Sequence, residues 1–134
     1  MSYQIVSCDI LDIDTKYIAH QCNCLTIRSD GLAKSIFDKF PYSNIYEQRK
    51  DLSRGQMDNP GNIVISGDGK ENRFVINMLA QYYPGYVKYP DSRKDGYIAR
   101  QSYFNNCLNQ ILEIKDLESI AFPYKIGCGM AYVS

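Results

Sequence analysis

Tyr17-Ile18-Ala19-His20-Gln21-Cys22-Asn23 is an apolar run that ends in an amide, and a loop then leads to Gly31-Leu32-Ala33, which opens a helix. A short apolar run bounded by turn residues reads as a buried strand. Ser119-Ile120-Ala121-Phe122-Pro123-Tyr124 reads as another strand, and it runs into Lys125-Ile126-Gly127-Cys128-Gly129. Both glycine loops therefore follow the carboxyl ends of apolar strands, the edge where open α/β sheets bind ligands. Glycine lets backbone N–H groups approach a ligand closely, and a helix N-terminus favours negative charge. Two such loops on one edge predict a cradle for a phosphorylated small molecule.

Working outward, Tyr3 to Cys8 reads as a first strand stopped by Asp9, and residues 9–14 as an acidic turn. Asp30 suits a helix N-cap. The helix runs toward Phe40 with Ala33, Ile36, Phe37 and Phe40 on one apolar stripe. Pro41 suits the start of a further helical segment through Lys50. Asn59-Pro60-Gly61 reads as a turn and Ile63-Val64-Ile65 as a short strand. Gly67-Asp68-Gly69-Lys70 reads as a hairpin loop, and Phe74 to Leu79 as the next strand. Residues 85–94 are polar and loop-like. A long helix is expected from about Ile98 to Ile114, with Phe104, Cys107, Leu108, Ile111 and Leu112 at helical spacing. The order β-β-α-(α)-β-β-α-β, without internal repeat or linker, predicts one domain of 134 residues with a mixed sheet covered by helices.

Lys plus Arg and Asp plus Glu both number 15, so no overall basic field draws the chain to nucleic acid. No run approaches the ~20 apolar residues of a membrane span. No signal peptide is visible before the first expected strand, and five cysteines in a chain of this size suggest reduced thiols. The expected setting is the cytoplasm or nucleus. Twelve tyrosines accompany no tryptophan, a composition that serves a pocket or a core equally.

Several residues carry chemistry and also a plain structural reading. Asp9 offers a carboxylate to an exocyclic amine, or simply caps a turn. Asn23 suits a sugar hydroxyl, or the backbone of its own loop. His20, Cys22 and Cys24 share one strand face, but His20 and Cys24 lie roughly 13 Å apart along an extended strand, too far for one zinc ion. No metal and no cofactor is expected. His20 suits acid, base or nucleophile near neutral pH, or a core position. Gln81 and Tyr82 leave a strand end where they would wall a pocket or form an ordinary loop. Gly127-Cys128-Gly129 suits a backbone nest for phosphate, or a tight turn.

Cys8-Asp9-Ile10-Leu11, then Ile18-Ala19-His20-Gln21-Cys22-Asn23, then Gly31-Leu32-Ala33, then Ile126-Gly127-Cys128-Gly129-Met130-Ala131 together resemble a macro domain in order and spacing. The likeness covers nearly the whole chain. It is greatest to the branch that contains terminal ADP-ribose protein glycohydrolase and ADP-ribose 1″-phosphate phosphatase. Several large DNA viruses carry similar small macro domains, which makes a viral origin one expectation.

The resemblance implies a three-layer α/β/α fold and a cleft for ADP-ribose or an ADP-ribosylated protein. By position it implies that Asp9 binds the adenine amine with the Ile10 backbone alongside, and that Asn23 meets the distal ribose. Gly31, Leu32 and Ala33 would line the distal ribose and diphosphate. Ile126, Gly127, Cys128, Gly129 and Met130 would form the loop that wraps the diphosphate. The implied activity is removal of ADP-ribosyl groups from proteins or of the phosphate from ADP-ribose 1″-phosphate, with His20 and Asn23 at the catalytic end. The alternatives are a non-catalytic ADP-ribose reader, or a truncated domain that binds weakly. The glycohydrolase has a lysine at the end of the strand matching Phe74–Leu79, where this chain reads Met78-Leu79-Ala80-Gln81. It has an aspartate just after the second glycine loop, where this chain has Ala131.

After a motif like Ile126–Ala131, macro domains continue through a helix and a closing strand, whereas Tyr132-Val133-Ser134 remain here. The expectation is a sheet without that helix and strand. A terminal carboxylate near the anion loop would weaken ADP-ribose binding, and an uncovered sheet edge would favour self-association.

Overall fold

The computed structural model describes residues 4–51, 58–124 and 126. Its strands are β1 (Tyr17–Cys22), β2 (Ile63–Ser66), β3 (Phe74–Leu79) and β4 (Ile120–Ala121), and its helices are α1 (Gly31–Lys39), α2 (Ile45–Gln48) and α3 (Tyr97–Leu112). The four strands form one sheet in the order β2-β3-β1-β4. β1 runs parallel to both β3 and β4, and β2 is antiparallel to β3. The sheet is mixed, as expected.

β1 and β3 occupy the centre, and both are buried along nearly their whole length. Central parallel strands are covered on both faces and so read as continuous apolar runs. Ile18, Cys22, Val75 and Leu79 pack on one face against Ile36 and Phe37 of α1 and Ile45 and Tyr46 of α2. Tyr17, Ala19, Ile76 and Met78 pack on the other against Cys107 and Ile111 of α3. The alternation of side chains along each strand makes two cores, one on either face, and hence three layers. Each large apolar side chain buried this way contributes roughly 1.5–3 kcal/mol.

The expected hairpin loop joins β2 to β3. Gly67 adopts φ +99° there, and a Cβ at that position would sit 2.3 Å from the Arg73 carbonyl oxygen. Asp68 Oδ1 accepts from the backbone N–H groups of Lys70 and Asn72 at 2.8 and 2.9 Å. α1 carries the expected stripe, with Ile36 and Phe37 buried, and α3 begins one residue earlier and stops two residues sooner than its apolar spacing suggests.

Three expectations need correction. Residues 4–8 form no strand, and Ile5 and Val6 are 73% and 47% exposed. Among the described residues no strand runs beside them to close a ladder, and an apolar pattern alone cannot. The segment from Pro41 is not continuous helix: a 3-10 turn at Pro41–Ser43 precedes α2, and another follows at Arg49–Asp51. Asn44 breaks it, leaving helical backbone angles while its side chain caps α2 through the Glu47 N–H at 3.0 Å. Of the run Ser119–Tyr124, only Ile120 and Ala121 join the sheet. Pro123, with no N–H to give a ladder, fits that early end. The expectations for Lys125, Gly127, Cys128, Gly129, Met130 and the tail after them, and for Tyr3, lie outside the described residues. Among the described residues no helix is long and apolar enough to cross a membrane.

Candidate functional site

The carboxyl ends of β1, β3 and β4 open onto one cleft of about 470 Å³, a volume within the roughly 300–1,000 Å³ of small-molecule sites. β1 and the loop after it contribute His20, Gln21, Asn23, Thr26, Arg28 and Asp30. The start of α1 contributes Leu32 and Ala33, and the turn after β3 contributes Gln81, Pro84 and Gly85. Beyond β4 come Pro123, Tyr124 and Ile126. The structure thus brings His20, Asn23, Leu32, Ala33, Gln81 and Ile126 together, as the sequence suggested. Gly31 precedes the lining residues of α1 at φ +56°, where a Cβ would meet nothing within 4 Å, so backbone conformation rather than crowding suits glycine there. The Asp30 side chain makes no capping bond, which leaves the first-turn N–H groups of α1 without a side-chain acceptor.

His20 is 1% exposed and lies directly across from Asn77 in the β1–β3 register. Asn77 Nδ2 donates to the carbonyls of Ser43 and Val64 at 3.1 and 3.4 Å. That fixes Oδ1 as the acceptor toward the ring, so His20 Nε2–H donates at 2.7 Å. Burial lowers the His20 pKa to about 4, and the bond to Asn77 offsets only part of the fall. The ring is therefore neutral at pH 7, held edge-on against Phe37 at 5.2 Å.

Asn23 uses its amide on its own loop. Oδ1 accepts from the N–H groups of Leu25 and Thr26, both at 2.9 Å. Nδ2 donates to Thr26 Oγ1 and to the Tyr46 hydroxyl, both at 3.1 Å. The Tyr46 hydroxyl also accepts from the Asn23 backbone N–H at 2.9 Å. These bonds tie the amide to its own loop and to Tyr46. Burial raises the pKa of Tyr46 and of the adjacent Cys22 thiol, so both stay protonated. Burial likewise pushes Cys24 up to about 12.

Opposite, the Gln21 and Gln81 side chains are hydrogen-bonded to each other across the ends of β1 and β3. Gln81 also donates to the Tyr83 carbonyl at 2.7 Å. Tyr82 does not line the cleft. It packs toward the core, with Lys94 Nζ 3.9 Å from its ring centre. Asp9 and Ile10 also lie outside the lining. Asp9 closes its own turn, accepting the Leu11 N–H at 3.0 Å, and Ile10 packs against the α1-side core. Cys8, Cys22, Cys24 and Cys107 are free thiols. Among the described residues no group of three or more His, Cys, Asp or Glu side chains converges on one point.

Tyr46, Arg49, Asn77 and Arg100 were not foreseen. All four are buried polar residues that hold the cleft's backbone or the strands beneath it. Only Asn77 carried a signal in the sequence, as an amide inside the apolar run Phe74–Leu79.

A family model described as the macro domain matches residues 19–134. The structure is similar to the macrodomain of Mycobacterium tuberculosis DarG, with a TM-score of 0.66 and 20% identity, over 96% of this chain and 79% of that one. No curated protein matches the chain.

Proposed function

This chain belongs to the macro domain family, and on that premise we propose that its cleft binds ADP-ribose, free or attached to protein. The observation that carries the reading is the convergence of three strand ends and the uncapped start of α1 on one cleft. The N–H groups of Leu32 and Ala33 suit a diphosphate oxygen, since helix N-termini attract anions. The macro-domain resemblance assigns the backbone N–H groups of Gly127 to Met130 to the same diphosphate. The wall from Asn23 to Thr26 lies against the distal ribose, with Asn23 shaping that wall. Asp9 takes the adenine amine on Oδ2, its Oδ1 being spent on Leu11.

Within the family, our reading of the His20-x-Cys22-Asn23 pattern favours the glycohydrolase and phosphatase branch. Hydrolysis of an ADP-ribosyl bond or of ADP-ribose 1″-phosphate would then run through a water held by cleft amides, which stabilise developing charge. A non-catalytic reader is the second reading. It is favoured by His20, whose neutral ring is committed to Asn77 and offers no proton at pH 7.

Calorimetry with ADP-ribose tests the binding. A micromolar Kd, about −8 kcal/mol, is expected, and no heat at millimolar ligand refutes it. Incubation with ADP-ribosylated protein and with ADP-ribose 1″-phosphate then separates hydrolase from reader. Asn23→Ala removes the acceptor of two loop N–H groups and should raise Kd about tenfold or more. An unchanged Kd removes Asn23 from the site.

A further inference from the structure

Two arginines sit behind the cleft rather than in it. Arg49 has a side chain 4% exposed, paired with Asp58 at 2.7 Å. Its guanidinium donates to the carbonyls of Asn23 at 2.5 Å and Thr26 at 2.8 Å, and it lies 4.7 Å from the Tyr46 ring centre. Arg100 has a side chain 0% exposed, paired with Asp95 at 2.7 Å. It donates to the carbonyls of Gly85 at 2.8 Å and Tyr83 at 3.2 Å, while Asp95 Oδ1 accepts the Tyr82 N–H at 2.8 Å. Each arginine therefore holds the backbone of one wall: Asn23 to Thr26 on one side, Tyr82 to Gly85 on the other. Neither is among the lining residues.

Stability alone does not call for this arrangement. The Arg100–Asp95 pair is buried on both sides and the Arg49 guanidinium is buried beside a partly exposed Asp58, so both arginines carry a desolvation penalty, and apolar residues of similar volume often serve the fold as well. What apolar residues cannot do is present several donors in a rigid plane to two carbonyls and a carboxylate at once, which a guanidinium does and an ammonium does not. We propose that Arg49 and Arg100 are positioning residues that set the two backbone walls of the cleft at the separation the ligand requires. This rests on reading the cleft as the ADP-ribose site.

Arg49→Lys and Arg100→Lys keep the charge and lose the fork. Each is titrated with ADP-ribose by calorimetry at a temperature where circular dichroism shows it folded, and amide hydrogen exchange is followed on the unliganded protein. Kd should rise about tenfold or more at unchanged stoichiometry, as expected for a misplaced wall. Exchange should quicken about tenfold at Leu25 and Thr26 in Arg49→Lys, and at Tyr82 in Arg100→Lys, with Ile76 of β3 unchanged. A purely structural role would quicken Ile76 in step with the loops and leave Kd alone, and that result overturns the proposal. Where a lysine variant does not fold, the paired variants Arg49→Met with Asp58→Leu and Arg100→Met with Asp95→Leu replace it. Wild-type affinity in either pair also overturns it. Should the wild-type chain not bind ADP-ribose, the nucleotide reading falls by itself, and the exchange contrast between loops and β3 still decides whether the arginines hold the walls.

Discussion

Lowering the pH from 7 to 5 should destabilise the protein by about 2 kcal/mol through His20 alone. Burial holds this imidazole at a pKa of about 4, against an ordinary 6.5. The folded protein therefore keeps the ring neutral while the unfolded chain takes up a proton below about pH 6.5. The stabilisation is complete above that pH, is lost progressively as pH falls, and is exhausted near the folded pKa. Over the whole interval it amounts to about 3 kcal/mol, at roughly 1.4 kcal/mol per pH unit. His20 is the only histidine in the chain, so its ring gives one imidazole resonance whose titration is read directly by NMR. Urea unfolding at pH 7, 6 and 5 supplies the energies. His20→Gln should be less stable at pH 7 but nearly flat across the same interval, because carboxylates titrate mostly below it. A folded-state resonance that titrates near 6.5, or an equal pH slope in His20→Gln, would refute the reasoning.

Asn77→Leu leaves the His20 N–H and the Ser43 and Val64 carbonyls without their partner, and should cost about 2–4 kcal/mol in urea unfolding. A cost under about 0.5 kcal/mol would mean that the β1–β3 pair is not held this way. Gly67→Ala places a Cβ 2.3 Å from the Arg73 carbonyl at φ +99°, whereas Gly85→Ala at φ +78° meets nothing within 4 Å. Both should destabilise, Gly85→Ala by about 1 kcal/mol and Gly67→Ala by clearly more. Equal losses on thermal unfolding would contradict the close approach at the hairpin.

The sequence was most legible where one local pattern met one physical demand. The continuous apolar runs at Tyr17–Cys22 and Phe74–Leu79 could only be satisfied by burial on both faces, and they became the central strands. The glycines at 67 and 69 marked the hairpin. The stripe through Ile36 and Phe37 found the α1 face. Legibility failed where the outcome depended on a distant partner. Residues 4–8 have a strand composition and no strand beside them among the described residues. In the cleft, strand ends and the helix start were foreseeable from glycine and polarity. For Asn23 and His20 a chemical and a structural reading were both legible, but the distant partner of each was not: Tyr46 for the one, Asn77 for the other. The arginines were invisible for the same reason, since their carbonyl partners lie 15 to 26 positions away.

β1, one of the two central strands, precedes the other described strands in the chain, and this shapes how the molecule assembles. β1 pairs with β3 and β4, and contacts across those pairings span 57 and 103 positions. Among the described strands only the β2–β3 hairpin closes locally. Ile18, Ala19 and Cys22 consequently leave the ribosome with no sheet to enter, and wait for a platform that β2 and β3 build first. Such distant pairing slows folding. During that wait an unpaired apolar strand is the segment on which a chaperone would act, or at which two nascent copies would associate.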